Sequence, residues 1–254
     1  MMNIRAIPSL TDNYIWLITF GDRQAVAVDP GESTPVLTTL KAEGLNLEGI
    51  LITHQCWDHV SGITEIVKQH PAPVYGPASE KIPHMTHPLK EGDTVSVGTT
   101  SFTVLDTPGH TAGHIVYHGN GALLSGDTLF AAGCGRLHSQ RPDWMFSSLS
   151  KIKQLPKETL IYCAHEYTLA NLKFAHTVEP SNPDIVKRQQ IEQEKRRQGL
   201  MTVPSTLETE LLTNPFLRCD EPTIKAAAEQ FSGQSLPNEA DVFRIVRYWK
   251  DTFA

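Results

Sequence analysis

Apolar residues in the first two thirds of the chain come in short runs: residues 14–20 (YIWLITF), 24–29 (QAVAVD), 49–53 (GILIT), 101–107 (SFTVLDT), 122–127 (ALLSGD) and 159–164 (TLIYCA). Their length and apolar character predict buried strands, separated by turn-rich or helical segments. Between them, residues 58–70 place Val60, Ile63, Ile66 and Val67 at helical spacing, and residues 169–174 begin another helix.

Beyond Phe174 the strand signals stop and helix punctuation takes over. Asn182 and Pro183 suit an N-cap and first helical position, with Gly199 as the stop. Ser205 with Glu208 fits a capping box before Leu211 and Leu212, and Pro222 opens a helix carrying Ile224 and Phe231 as far as Gly233. A last helix starts at Asn238: Val242, Ile245, Val246, Trp249 and Phe253 recur at core spacing, with Arg244, Arg247 and Lys250 on another face. The pattern therefore predicts a mixed α/β domain over residues 1–174 and a helical domain over residues 175–254, without internal repeats.

With 40% hydrophobic and 20% charged residues, the 254-residue chain has the composition of a globular protein that can bury a full core. No apolar run approaches the ~18 residues that span a bilayer, so no membrane role is expected. MMNIRAIPSLTDNY lacks the basic start, apolar stretch and cleavage site of an export signal, which predicts a cytoplasmic protein. A net charge of −6 opposes the field a polyanion binder uses, so nucleic acid is not the expected partner. Cys56, Cys134, Cys163 and Cys219 form no C-x-x-C pair and suggest neither a disulfide framework nor a zinc ribbon.

The densest chemistry lies in residues 49–62, GILITHQCWDHVSG, where a strand runs into His54, Cys56, Asp58 and His59. Residues two apart in extended backbone point the same way, so His54 and Cys56 can serve one metal while Asp58 and His59 serve a neighbour. His110, Asp127 and His165 follow other strand-like runs, and an Asp127 oxygen could bridge two ions. Imidazole and carboxylate suit zinc, iron or manganese, and rigid strand ends limit the entropy lost on binding. Any of these residues alone is more often a cap or a packing residue; together they are specific.

THQCWDH, TPGHTAGH, SGDTLF and CAHEYTLANLKFA resemble, in order, the motifs of the hydroxyacylglutathione hydrolases, also called glyoxalase II. The likeness extends to SLTDNYIWLI, VDPG, GCGR and the RYWKD ending, and so covers almost the whole chain. It implies a metallo-β-lactamase αββα sandwich with a C-terminal helical domain, and hydrolysis of S-lactoylglutathione, the second step of methylglyoxal detoxification. By motif position, His54, Cys56 and His110 would hold one divalent ion, Asp58, His59 and His165 a second, with Asp127 bridging. Zinc is favoured over iron or manganese, and Asp58 would also orient the attacking water. The resemblance further implies that Arg247 and Lys250 hold the glycine end of glutathione, Tyr167 contacts the peptide, and Arg136 and His138 stand where a basic and an aromatic residue are common. The expected partner is this small thioester, and the chain is expected to be a monomer.

Three departures from the family pattern fall in the first motif: Cys56 stands where a second histidine is usual, Gln55 where histidine is common and Ser61 where glycine is common. LHSQRPDWM after Arg136 departs too. Only Cys56 changes a ligand. A thiolate there lowers the Lewis acidity of its metal and weakens the first site toward harder ions, so hydrolysis is expected to be retained but reduced. Two other enzymes on this scaffold are weighed: a mononuclear iron persulfide dioxygenase, disfavoured by the helical tail, and an RNA-processing nuclease, disfavoured by the charge. A glutathione-conjugate binding module impaired by Cys56 is the non-enzymatic alternative. His70, His84, His87, His114, His118 and His176 are read as surface or structural histidines, with His114 near enough to His110 to support it. Cys163 is read as packing, and Cys134 as part of a tight loop where a reactive thiol is open.

Overall fold

The computed structural model describes residues 2–253. In chain order these form β1 (Asn3–Ser9), β2 (Asn13–Phe20), β3 (Gln24–Val28), α1 (Ser33–Glu43), β4 (Asn46–Leu51), α2 (Trp57–Val60), α3 (Ile63–Gln69), β5 (Val74–Pro77), β6 (His87–Leu89) and β7 (Thr94–Val97). There follow β8 (Thr100–Asp106), β9 (Ile115–Gly119), β10 (Ala122–Gly126), β11 (Leu129–Phe130), β12 (Gly133–Cys134), α4 (Pro142–Ile152) and β13 (Leu160–Cys163). The remainder is α5 (Thr168–Val178), α6 (Pro183–Arg197), β14 (Ser205–Thr206), α7 (Leu207–Thr213), α8 (Pro222–Ser232) and α9 (Glu239–Thr252). By internal contacts the chain divides into two compact units. One comprises Met1–Asp106, Thr111–Asp127 and Tyr162–His165; the other comprises Thr107–His110, Thr128–Ile161 and Glu166–Ala254.

The first unit carries a mixed sheet in the order β1-β2-β3-β4-β5-β6. β1, β2 and β3 pair antiparallel, and β4 to β6 continue in parallel. A parallel neighbour needs a crossover, which α1 supplies between β3 and β4. β1 contains Pro8, which lacks an amide donor, and it occupies the edge of the sheet, where that loss costs least. One apolar cluster packs the sheet residues Leu17, Ala25, Ala27, Ile50 and Ile52 with Val36 and Leu40 of α1 and Ile63 and Ile66 of α3. The second sheet of this unit runs β7-β8-β9-β10, antiparallel throughout, and then the last residues of β13.

In the second unit the first residues of β13 pair antiparallel with β14, and β11 and β12 form a small hairpin. Its helices share an aromatic core in which Phe174 lies 6.2 Å from Phe216, 5.8 Å from Trp249 and 5.3 Å from Phe253, centroid to centroid. Among the described residues, no helix is long and apolar enough to cross a membrane.

All six apolar runs form strands, and the helix starts at Asn182 and Asn238 are capped as expected: each asparagine side chain accepts from backbone amides two or three residues on. Three details differ. The helix expected over 58–70 is two, because the chain closes against residues 30–33 at Gly62: its amide donates to the Pro30 carbonyl, and a Cβ there would lie 2.5 Å from that oxygen. The cap of α7 is Thr206, accepting from the Thr209 amide at 3.1 Å, while Ser205 gives its hydroxyl to Glu210. Arg247, which spacing puts on one face with Arg244 and Lys250, is 5% exposed, held inside by the Cys134 carbonyl and Asp251.

Candidate metal centre

Every expected metal ligand except His110 lies in the first unit, and three of them stand just past a strand end. His54 follows β4, Asp127 directly follows β10, and His165 follows β13, while Asp58 and His59 sit in α2. The turn after β3 holds this arrangement: Asp29 accepts from the Thr53 amide at 2.8 Å and from its hydroxyl at 2.7 Å. At Gly31 any side chain would collide with the Asp58 carbonyl, so glycine lets that turn pack beneath α2. Glu80 ties down the next loop, accepting from the Gln55 amide at 2.6 Å, the Gly113 amide at 3.0 Å and the Thr111 hydroxyl.

Four donor atoms converge. Nε2 of His59 lies 3.5 Å from both Asp58 Oδ2 and Asp127 Oδ1, and Nε2 of His165 lies 3.5 Å and 3.4 Å from the same two oxygens. His59 is fully buried, and its Nε2 makes no hydrogen bond of good geometry. Ligands bound at 2.0–2.1 Å around a tetrahedral ion stand about 3.4 Å apart, so the spacing fits a cation better than direct hydrogen bonds. The ligand atoms of His54 and Cys56 lie within 4.8 Å of each other, and the His54 and His59 ring centroids are 4.1 Å apart.

Carboxylates and a hydroxyl stand on the far sides of the rings. His165 donates from Nδ1 to Asp12 Oδ1 at 2.8 Å, and His59 Nδ1 lies 3.2 Å from Asp29 Oδ2. Thr53 gives its own hydrogen to Asp29, so its oxygen can only accept from His54 Nδ1, 3.0 Å away. In His54 and His165 this commits Nδ1 and leaves Nε2 as the atom a metal would take. His114 is fully buried and stacked on His54 at 4.7 Å, and its Nε2 accepts from the Asp127 amide at 3.1 Å. Asn13 donates to Asp58 Oδ2 at 3.0 Å.

The charges agree with this fit. Burial works to raise the Asp127 carboxyl, but His59 and His165, then His54, hold it well below the usual range. Burial also opposes ionisation of Asp58, yet His59 and Asn13 bring it down to about 2. Burial works against a charged His59, and Asp127, Asp29 and Asp58 outweigh it, raising its basicity. Burial, then Asp127, Asp58, Glu80 and Asp29, push the Cys56 thiol up to about 12. Those carboxylates repel a bare thiolate and attract a cation.

In the second unit His110 is 5% exposed and donates from Nδ1 to the Arg136 carbonyl at 2.7 Å, again leaving Nε2 as acceptor. The His138 ring meets the His110 ring at 4.8 Å, and its amide donates to the His110 carbonyl at 3.0 Å. Arg136 is exposed, with Nε 3.9 Å from Asp251. Arg247 donates to the same Asp251 at 2.7 Å and to the Cys134 carbonyl at 3.0 Å, with its guanidinium 5.0 Å from the Phe216 centroid. Lys250 stands 5.4 Å from the Phe174 ring centroid, and burial, then Arg247, lowers its pKa. Tyr167 is partly exposed and meets Phe130 edge-on at 5.4 Å.

Cys134 is buried and its thiol is pushed up to about 11 by burial, so it is protonated near neutrality and is not the reactive thiol considered above. Cys163 packs, as expected, with no exposure. Asp12, Asn13, Asp29 and Glu80 are supporting residues the sequence reading missed. The first three lie inside SLTDNYIWLI and VDPG, but their roles depend on distances across the fold.

Known proteins match along the whole chain. The "Metallo-beta-lactamase superfamily" family matches residues 10–165 and "Hydroxyacylglutathione hydrolase C-terminus" matches residues 166–253. A hydroxyacylglutathione hydrolase of Nitrosomonas eutropha is 48% identical over 100% of both chains, and one of Alkalilimnicola ehrlichii is 50% identical over 99% of both. The crystal structure of ETHE1 from Myxococcus xanthus superposes with a TM-score of 0.67 at 23% identity, covering 99% of this chain and 90% of that one, a likeness of fold.

Proposed function

The chain belongs to the hydroxyacylglutathione hydrolase family of the metallo-β-lactamase superfamily, and on that premise we propose that it hydrolyses S-(2-hydroxyacyl)glutathione, S-lactoylglutathione foremost, to glutathione and a 2-hydroxy acid. The observation that carries the reading is the convergence of His59, His165, Asp58 and Asp127 at 3.4–3.5 Å. In this reading His54, Cys56 and His110 would hold one divalent ion and Asp58, His59 and His165 a second, with Asp127 a further ligand. Zinc is the favoured metal, and Cys56 weakens the first position toward iron and manganese. When bound, such ions would supply Lewis acidity, which can lower the pKa of water from 15.7 to about 7 and polarise a thioester carbonyl.

The chain's own groups then do three things. Asp58, ionised and fixed by Asn13, accepts a hydrogen bond from the attacking water and sets its approach. Asp127 stays ionised between the histidines that hold it, so it need not release a proton before it binds. The glutathione sulfur leaves without a protein acid, because a thiol of pKa ~8.5 is a far better leaving group than an alcohol.

Residues 1–174 act as the catalytic domain and residues 175–254 as the substrate domain. Lys250 and Arg247 bind the glycine carboxylate of glutathione, with Tyr167, Arg136 and His138 along the peptide; charge-assisted bonds of this kind fit its two carboxylates. We place the enzyme in the cytoplasm as a monomer, where its four unbridged cysteines suit a reducing compartment. The test is release of free thiol from S-lactoylglutathione by zinc-loaded protein, with calorimetry beside it. Thiol release lost in Asp58→Asn supports the hydrolase; calorimetric binding without any thiol release overturns it in favour of a binding module.

A further inference from the structure

The two halves of the centre differ in chemical hardness. Asp58, His59 and His165 offer one carboxylate oxygen and two imidazole nitrogens within 4.8 Å of one another. Beside them His54 is fully buried, with Nδ1 3.0 Å from the Thr53 hydroxyl and a ring nitrogen within 4.8 Å of the Cys56 sulfur. Cys56 is only partly buried, at the turn just before α2, where its extended backbone (ψ 142°) precedes the helical Asp58 and His59. A soft sulfur thus stands near the His54 imidazole, and a hard carboxylate oxygen stands with the His59 and His165 imidazoles. Thiolate prefers zinc or cobalt(II) over manganese or high-spin iron(II), whereas carboxylate with imidazole accepts the harder ions.

We infer that Cys56 turns the centre into a pair of unlike sites: the His54–Cys56 half fills first and selects zinc, and the Asp58–His59–His165 half takes a harder ion such as manganese. The inference rests on the metal reading above and deepens it. As the sulfur–metal bond forms the thiol proton passes to solvent, so charge and atoms balance without any redox partner. The surrounding carboxylates, which disfavour a free thiolate, neutralise the cation that displaces the proton.

The experiment is a titration of metal-free full-length protein with cobalt(II), followed by absorption. Sulfur-to-cobalt charge transfer in the near ultraviolet is expected to reach its full intensity with the first equivalent and to be missing in Cys56→Ser, whose fold is checked by circular dichroism. In a second measurement, protein given one equivalent of zinc and excess manganese is desalted and its metals are counted. The wild type should retain about one of each per chain, while Cys56→His lowers the preference for zinc in the first half about tenfold. A charge-transfer band that is absent, or that appears only with the second equivalent, overturns the inference. Failure of thiol release with the band intact would instead overturn the hydrolase reading, so the two are separable.

Discussion

Asp12 accepts a hydrogen bond from Nδ1 of His165 across 2.8 Å, from a strand turn more than 150 positions away in the chain. That contact aims Nε2 at Asp58 and Asp127. Carboxylates behind ligand histidines are worth roughly ten- to a hundredfold in metal affinity. Asp12→Ala should therefore lose zinc to a chelator that much more readily, with Asp12→Asn intermediate; equal retention in all three proteins would falsify the role.

Cys56→His restores the more Lewis-acidic ligand set. Turnover of the zinc-loaded protein is expected to rise about fivefold, with little change in KM, because the gain lies in polarising the reacting carbonyl rather than in holding the peptide. Steady-state kinetics on S-lactoylglutathione decides it, and an unchanged kcat would show that the sulfur has no hold on the chemistry.

Lys250 and Arg247 should separate into binding and scaffold. Lys250→Ala is expected to raise KM about tenfold, the value of one charge-assisted contact, without shifting the melting temperature. Arg247→Ala should raise KM and also lower the melting temperature, because it removes the buried hydrogen bond to the Cys134 carbonyl and the ion pair with Asp251. Equal melting curves for the two variants would contradict the split.

Glu179 joins three helices of the second unit. It accepts from both arms of Arg218, at 2.8 and 3.2 Å, from Asn182 at 2.8 Å and from Thr223 at 2.7 Å. Burial works to raise its pKa, but Arg218, Asn182 and Thr223 bring it below the usual 4.5. A depressed carboxyl contributes stability that is fully present above 4.5 and is lost as the pH falls through its folded value. Denaturant midpoints should thus drop in that acid window, and Glu179→Gln should cost about 3 kcal/mol at pH 7 while flattening the drop.

How much of this was legible follows from what each feature depends on. The ligand-bearing strand ends could be read because β4, β10 and β13 are apolar runs that stop abruptly at polar residues. The break between α2 and α3 could not, since Gly62 has ordinary helical angles (φ −78°, ψ −19°) and the interruption comes from residues 30–33 packing against it. Strands of two to four residues such as β6, β11, β12 and β14 carry too few positions for a period to register. The burial of Arg247 could not be read, because spacing shows only which residues share a face. Its interior place is set by Cys134, over a hundred positions earlier. Asp12, Asp29 and Glu80 support the centre through contacts no local pattern encodes.

The imidazoles of His54, His110 and His165 each have one nitrogen committed to a fixed acceptor elsewhere in the protein. Rotational freedom in those rings is surrendered during folding, so a cation arriving later meets a receptor already set in its final pose. Emptying and refilling such a centre would then be an exchange of ions alone, with its ligand rings left in place.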